Sequence, residues 1–533
     1  MATVRRLLLA IAAAAGLILG VEWLARATGF GEPDPGYSAL KYQRIAYPLF
    51  TPLPGSEGRV LATTDPRLPR QSFQVPKPAG TRRVFCFGGS ALAGLGHSPN
   101  VTLAAQLQRA LDAGAGDVDY EVFNLGVVAF ASGQVRAMAA DVLSYAEPDL
   151  LVVYSGNNEF LEVHSQLFAR AEGQGPGAIA QLVRSSALLR GLQGGGKIDR
   201  AALEASVSTR DLAANDARVD HSELMEQVEL PDEEIVRALE RYQANLEAIA
   251  SMAAEAGVPL ALCTVESNWR WVGLEDPRPA EHAWLQAALD SPDGLVSGLR
   301  AHREQAPHHE RYQVTAALAA AEEQAGATEI AAELFRESRD DDPHLRRATT
   351  EHAARVRRAA ESSENVALID TALGLQALAP GGIVGFETFY DYVHFTPAGN
   401  AAATRVLLDG LLDAGWIEIA SPELARAALS ELPAQGLTGA DGLHVDRWIG
   451  FGDDAALLTS RDLWKYDTCW NALDARLAAD PDDWDALVWR GHLLSFKPGR
   501  AADARRDYEA ALALRDDARV RASLERLNTN PAP

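Results

Sequence analysis

Short, largely apolar runs punctuate this chain between longer stretches with helical spacing. Val84–Phe87, Tyr120–Phe123, Leu150–Tyr154, Pro259–Thr264 and Val366–Asp370 are the length of buried strands, and turn signals such as Glu147-Pro148-Asp149 bound them. Leu103–Ala113 and Glu233–Ala256 read as helices between those runs. Strands alternating with helices predict an α/β fold, with one parallel sheet covered on both faces. Ligands of such sheets bind at the carboxyl ends of the strands. Ser90 and Asn158 each follow a strand end directly.

The remaining stretches break the alternation. Residues 28–80 are rich in Pro and Gly and read as a linker to a main domain over 81–418. Two insertions interrupt that domain, at about 165–255 and 275–360. The first holds Gly194-Gly195-Gly196 and acidic helical stretches, and is expected to act as a lid over the cleft. In the second, Ala331, Phe335 and Pro343 resemble the second helix of a tetratricopeptide repeat. A C-terminal helical region spans 419–533. There, Trp484, Leu487 and Gly491 on one helix and Ala504, Tyr508 and Ala511 on the next resemble the same repeat, which would offer a surface for a protein partner. An ordinary helical hairpin is the competing reading, because such repeats usually need three copies for stability.

The N-terminal 27 residues read as an export segment. Arg5 and Arg6 precede an apolar run from Leu7 to Val21, which extends to Ala25 if Glu22 sits at the interface. Ala25-Arg26-Ala27 is an Ala-x-Ala-like cleavage site. The segment is a single-pass membrane anchor or a cleaved signal peptide. Both place the rest of the chain on the extracytoplasmic side of the membrane, in the cell envelope, periplasm or medium.

Composition adds exclusions. Of 533 residues, 47% are hydrophobic and 23% charged, enough apolar material for a sizeable core. The net charge of −24 repels phosphate backbones and argues against nucleic-acid binding. Cys86, Cys263 and Cys469 form neither a disulfide framework nor a metal-ligand spacing, and the first two fall in expected core strands.

The chemistry lies in segments far apart in the chain. Gly88-Gly89-Ser90 ends the first run, and the glycines are expected to allow a sharp turn with unusual backbone angles that exposes the serine hydroxyl. Asp391 and His394, three apart, precede a helix that starts at Thr396-Pro397. A carboxylate, an imidazole and a hydroxyl are the inventory for activating a serine nucleophile. Gly156-Asn157-Asn158-Glu159 follows the third run, and Asn158 can donate to an oxyanion. Asn124-Leu125-Gly126 follows the second run and brings a further backbone donor. Asn268, Trp269 and Arg270 follow the fourth run at the same sheet edge. With Asn157 and Glu159 they are candidates for substrate binding. Phe386, Phe389 and Tyr390 are expected to pack the loop that carries Asp391.

These segments, in this order, resemble the SGNH (GDSL-like) hydrolase superfamily over about residues 82–165, 255–275 and 365–412. Gly88-Gly89-Ser90 looks like its first block, Gly156-Asn157-Asn158-Glu159 like its Gly-x-Asn-Asp block, and Asp391-x-x-His394 like its last. The second block pairs an Asn with a Gly five residues on. Here Asn124 is followed at that distance by Ala129, with Gly126 and Gly133 as alternatives. Glu159 stands where the family has Asp.

The resemblance implies a flavodoxin-like, doubly wound, five-stranded parallel sheet. It also implies Ser90, Asp391 and His394 as catalytic residues, with Ser90, Asn158 and Ala129 or Gly126 as the oxyanion hole. The expected activity is hydrolysis of an ester, such as an O-acetyl or other acyl ester of an envelope glycan or lipid, without metal or cofactor. An O-acyltransferase using the same residues and a catalytically inactive scaffold are the alternatives.

Overall fold

The computed structural model describes residues 16–31, 43–65, 67–95, 99–171, 186–193, 229–271, 283–389, 391–430, 473–474, 476–495 and 500–529. Its centre is a parallel sheet of β4 (Thr81–Gly88), β5 (Asp119–Gly126), β6 (Leu150–Tyr154), β7 (Leu260–Cys263) and β8 (Val366–Ile369), in the order β5-β4-β6-β7-β8. The five apolar runs of the sequence supply these strands. Gly88 pairs with Gly126 on one side and Tyr154 on the other, so three strands end level at the carboxyl edge. The chain leaves β5 and passes over β4 to reach β6. The strand order therefore reverses at β4, the strand that leads into Ser90.

Alternate residues of each strand enter two separate cores. Val84, Cys86, Val152, Ala261 and Cys263 face one side. There they meet α2 (Leu103–Ala113), α13 (Pro397–Asp413) and the helices of the second insertion. Phe85, Phe87, Leu151, Val153 and Leu262 face the other, against α3 (Ser132–Tyr145), α6 (Asp232–Glu255) and α11 (Thr350–Ala360). A sheet buried on both faces cannot show the apolar–polar alternation of a one-sided sheet, which is why its strands read as continuous runs. Burial pushes the Cys86 thiol up and Cys263 to about 12, as expected of core thiols. Cys469 lies outside the described residues.

The stretch read as a linker also carries structure. β1 (Phe50–Pro52), β2 (Val60–Thr63) and β3 (Ser72–Gln74) form an antiparallel sheet. Phe50 and Phe73 pack with Phe85 and Phe123 of the main sheet, at centroid separations of 5.5 to 6.2 Å. Arg83, fully buried on β4, adds a polar pin. It donates to the Gln74 carbonyl at 2.6 Å, pairs with Glu121 at 2.8 Å and stacks over Phe73. Strands this short depend on such tertiary contacts rather than on their own propensity.

The first insertion is described in part. Its described helices are α4 (Leu161–Ala171), α5 (Ala187–Gln193) and α6, and α6 belongs to the cover of the sheet through Tyr242, Leu246 and Ile249. Gly194-Gly195-Gly196 and the rest of the expected lid lie outside the described residues. The second insertion holds α7 (Ala283–Leu289), α8 (Leu295–Gln305), α9 (His308–Gln324) and α10 (Thr328–Asp340). Ala331 and Phe335 of α10 are buried. The C-terminal region is helical: α15 (Trp484–Ser495), α16 (Ala501–Leu514) and α17 (Ala518–Thr529) share a core of their own. Gly491 lets the two helices of that hairpin close, since a Cβ there would stand 3.0 Å from the Tyr508 ring.

Residues 1–15, with most of the apolar N-terminal run, lie outside the described residues. Among the described residues no helix is long and apolar enough to cross a membrane. Residues 16–27 are helical, with Leu17, Ile18, Leu19, Trp23 and Leu24 exposed.

Candidate active site

The turn after β4 is built by close approach. A Cβ on Gly88 would stand 2.2 Å from the Tyr154 carbonyl oxygen, and one on Gly89 2.5 Å from Asn158 Nδ2. Gly89 itself is extended (φ −88°, ψ −153°). The glycine is therefore required for space rather than for the unusual backbone angles expected from the sequence. Ser90 follows as the first residue of α1 (Ser90–Ala93), and 7% of its surface is exposed.

The other half of the site arrives from the segment between β8 and α13. Asp391 closes a tight turn on itself: Oδ1 accepts the backbone N–H groups of Val393 at 2.9 Å and His394 at 2.7 Å. Its Oδ2 lies 2.6 Å from His394 Nδ1, and His394 Nε2 lies 2.7 Å from Ser90 Oγ. A carboxylate only accepts, so Nδ1 carries the proton and Nε2 is left to accept from the serine. The loop is anchored at both ends. Thr396 caps α13 through Gly399 N–H and donates its hydroxyl to the Glu387 carbonyl, while Phe389 and Phe395 stack at 4.8 Å. Of the aromatic residues expected here, Phe389 is fully buried, Phe386 packs near Trp271, and Tyr390 lies outside the described residues.

A second set of groups stands beside the turn that leads into Ser90, where Asn158 Nδ2 and the Phe130 carbonyl approach Gly89. Asn158 Nδ2 donates to the Phe130 carbonyl at 2.9 Å, which leaves its second N–H for another acceptor. Ala129 adopts φ +65°, an uncommon conformation for a residue with a side chain. Gln43, which is buried, holds it by donating to the Ala129 carbonyl at 2.7 Å. Among the described residues the Ala129 N–H donates to no acceptor. The Gly126 N–H is already committed, at 2.9 Å to Asn124 Oδ1, and a Cβ there would collide with Ala93. Asn124 thus braces the turn from within, its amide donating to the Leu92 carbonyl at 3.1 Å. Between the two candidate backbone donors, only Ala129 has a free N–H.

The other candidate residues are tied into the protein. Asn157 Oδ1 accepts the Ala348 N–H. Glu159 is half-buried beside the start of α3, where it accepts the Ser132 N–H at 2.9 Å and the Ser132 hydroxyl at 2.7 Å. Burial raises its carboxyl to about 7 despite those bonds. Asn268 is fully buried beneath the Asp391 loop. Trp269 is 1% exposed and donates its indole N–H to Glu266, so it is a core residue rather than a stacking platform. Arg270 forms a forked pair with Glu323 at 2.5 and 2.6 Å. These five residues build walls and braces around the site. Gln43 and Ser132 carry structural parts of it that no motif in the sequence marked. Among the described residues no three His, Cys, Asp or Glu side chains gather where they could hold a metal ion.

In chemical terms, the arrangement offers a hydroxyl whose proton has a direct path to an imidazole backed by a carboxylate. Donors suited to a developing negative charge lie in the loops beside the same turn. Comparison with protein-family models finds no match to this chain, and comparison with curated proteins finds none either.

Proposed function

We propose that the chain is an exported SGNH-type serine hydrolase that cleaves an ester through an acyl-enzyme on Ser90. The observation that carries this reading is the continuous sequence of bonds from Ser90 Oγ through His394 to Asp391, at 2.7 and 2.6 Å. The strand order, with the first parallel strand between the second and third, is that of flavodoxin-like sheets and fits the superfamily.

In the reaction, Ser90 Oγ attacks the ester carbonyl carbon as its proton passes to His394 Nε2. Asp391 holds the imidazole tautomer and stabilises the imidazolium. The Ser90 N–H, the Ala129 N–H and the free N–H of Asn158 receive the oxyanion. Collapse breaks the ester C–O bond, and the departing alkoxide takes the proton from His394. Water then attacks the acyl carbon with His394 again as base, which releases the acid and restores Ser90. The substrate class is an O-acetyl or other acyl ester of an envelope glycan or lipid. The N-terminal segment would hold the enzyme at the membrane, and the tetratricopeptide-like helices would recruit a protein partner.

Labelling of the full-length protein with a fluorophosphonate probe tests the reading. Wild type should react covalently and Ser90→Ala should not. Equal labelling of both, or none of a folded wild type, would remove the assignment. Product analysis with a saccharide acceptor present then separates hydrolysis from O-acyl transfer.

A further inference from the structure

The loop that carries Asp391 does not rest on its own residues alone. Asn268, in the segment after β7, is fully buried and reaches it twice. Its side-chain Nδ2 donates to the Asp391 carbonyl at 3.0 Å, and its backbone N–H donates to the Tyr392 carbonyl at 2.9 Å. Its Oδ1 accepts the Arg270 N–H at 3.0 Å, which fixes the amide orientation. The segment is held in turn by Arg347, a buried residue between α10 and α11. One guanidinium nitrogen of Arg347 donates to the Asn268 carbonyl at 3.0 Å and another to the Trp271 carbonyl at 2.6 Å. The next residue, Ala348, donates its N–H to Asn157 at 3.0 Å and accepts the Ser267 hydroxyl at 3.1 Å.

We infer that Asn268 is a positioning residue for the Asp391–His394 pair, and that Arg347, supplied by the second insertion, positions Asn268. The claim rests on the reading of Ser90, Asp391 and His394 as a catalytic set. Residues 347–348 bond to two segments of the candidate site: the Asp391 loop through Asn268, and the turn that bears Asn158 through its neighbour Asn157. The insertion therefore sets the spacing between base and oxyanion donors, a quantity to which rates respond steeply. The fork of Arg347 suits this task, because two carbonyls are gripped by one planar group.

The test uses the full-length protein in detergent, with Asn268→Ala, Arg347→Lys and Asp391→Asn as variants. Fluorophosphonate labelling is followed over a range of probe concentrations. The low-field proton resonance of the His394–Asp391 bond is recorded alongside. Asn268→Ala should lower the limiting labelling rate by about 100-fold, the scale of a misplaced reacting group. Its half-saturating probe concentration should stay unchanged, and its low-field resonance should disappear, as it should in Asp391→Asn. Arg347→Lys should shift rate and resonance in the same direction by less. A wild-type rate and resonance in Asn268→Ala overturns the proposal. If that variant does not melt cooperatively, wild-type values in Arg347→Lys overturn it instead. An unlabelled wild type counts against the hydrolase reading, and the resonance comparison then decides the positioning claim by itself.

Discussion

The two halves of the candidate site are built by different means. On the base side, Asp391 and His394 are three residues apart, and one carboxylate both closes the turn and meets the imidazole. On the oxyanion side, Ala129, Asn158 and Glu159 come from two loops joined by bonds across tens of residues, with Ala129 at positive φ and the Glu159 carboxyl desolvated. A local turn carries its geometry in a few consecutive residues. A site assembled from separate loops depends on packing, and strain and desolvation accumulate there.

Substitutions can widen or narrow that contrast. Ser90→Ala and His394→Ala should each abolish labelling and ester turnover, a loss on the order of 10⁶ in rate, while the cooperative melt survives. Asp391→Asn keeps the shape of the turn but offers the imidazole the wrong partner, and turnover should fall by roughly 10⁴. Asn158→Ala removes one oxyanion donor and should cost about 10²–10³ in kcat, with a smaller change in KM. That ranking places the base side above the oxyanion side. Asn158→Ala as damaging as Asp391→Asn would reverse it.

The remaining tests concern stability. Glu159 has its carboxyl raised from 4.5 to about 7 in the folded protein. Below pH 4.5 both folded and unfolded states hold the proton. Between 4.5 and 7 the unfolded state releases it first, so stability falls as pH rises, by about 3 kcal/mol in all. Thermal unfolding across that window should show the decline in wild type, and Glu159→Gln should lack this component. The smallest effect is expected from Ala129→Gly. Relief of the left-handed conformation is offset by the greater freedom of glycine in the unfolded chain, so the net change should stay within about 1 kcal/mol. A denaturant midpoint displaced well beyond that would mean Ala129 is held by contacts of its own methyl group.

The same contrast governs what the sequence disclosed. β4 to β8 were legible because a doubly covered sheet writes unbroken apolar runs, and Asp391 with His394 because their relation is local. β1 to β3 were hidden in a Pro- and Gly-rich stretch, since short strands anchored by Phe50, Phe73 and the Arg83 pin have no periodicity to read. Gln43 was invisible for the same reason: a lone polar residue becomes a brace only when the fold brings Ala129 to it. For Trp269, composition at the sheet edge suggested a ligand platform, and only the depth of burial and the Glu266 bond decide between platform and core. The Gly88-Gly89 pair does mark a turn after β4, but it is needed there for steric room against Tyr154 and Asn158.

The bond between Ser90 and His394 joins positions 304 apart in the chain. Read in time rather than in space, that distance sets an order of events. β4 can pair with β5 and β6 from nearby sequence, whereas the base waits for the far end of the sheet, and long-range contacts form late. Closing so large a loop adds only modestly to the entropic cost, because that cost grows with the logarithm of length. A growing chain thus carries Ser90 in its place for some while as a hydroxyl without its imidazole partner. The Ser90 hydroxyl is among the first groups laid down and among the last to meet its partner.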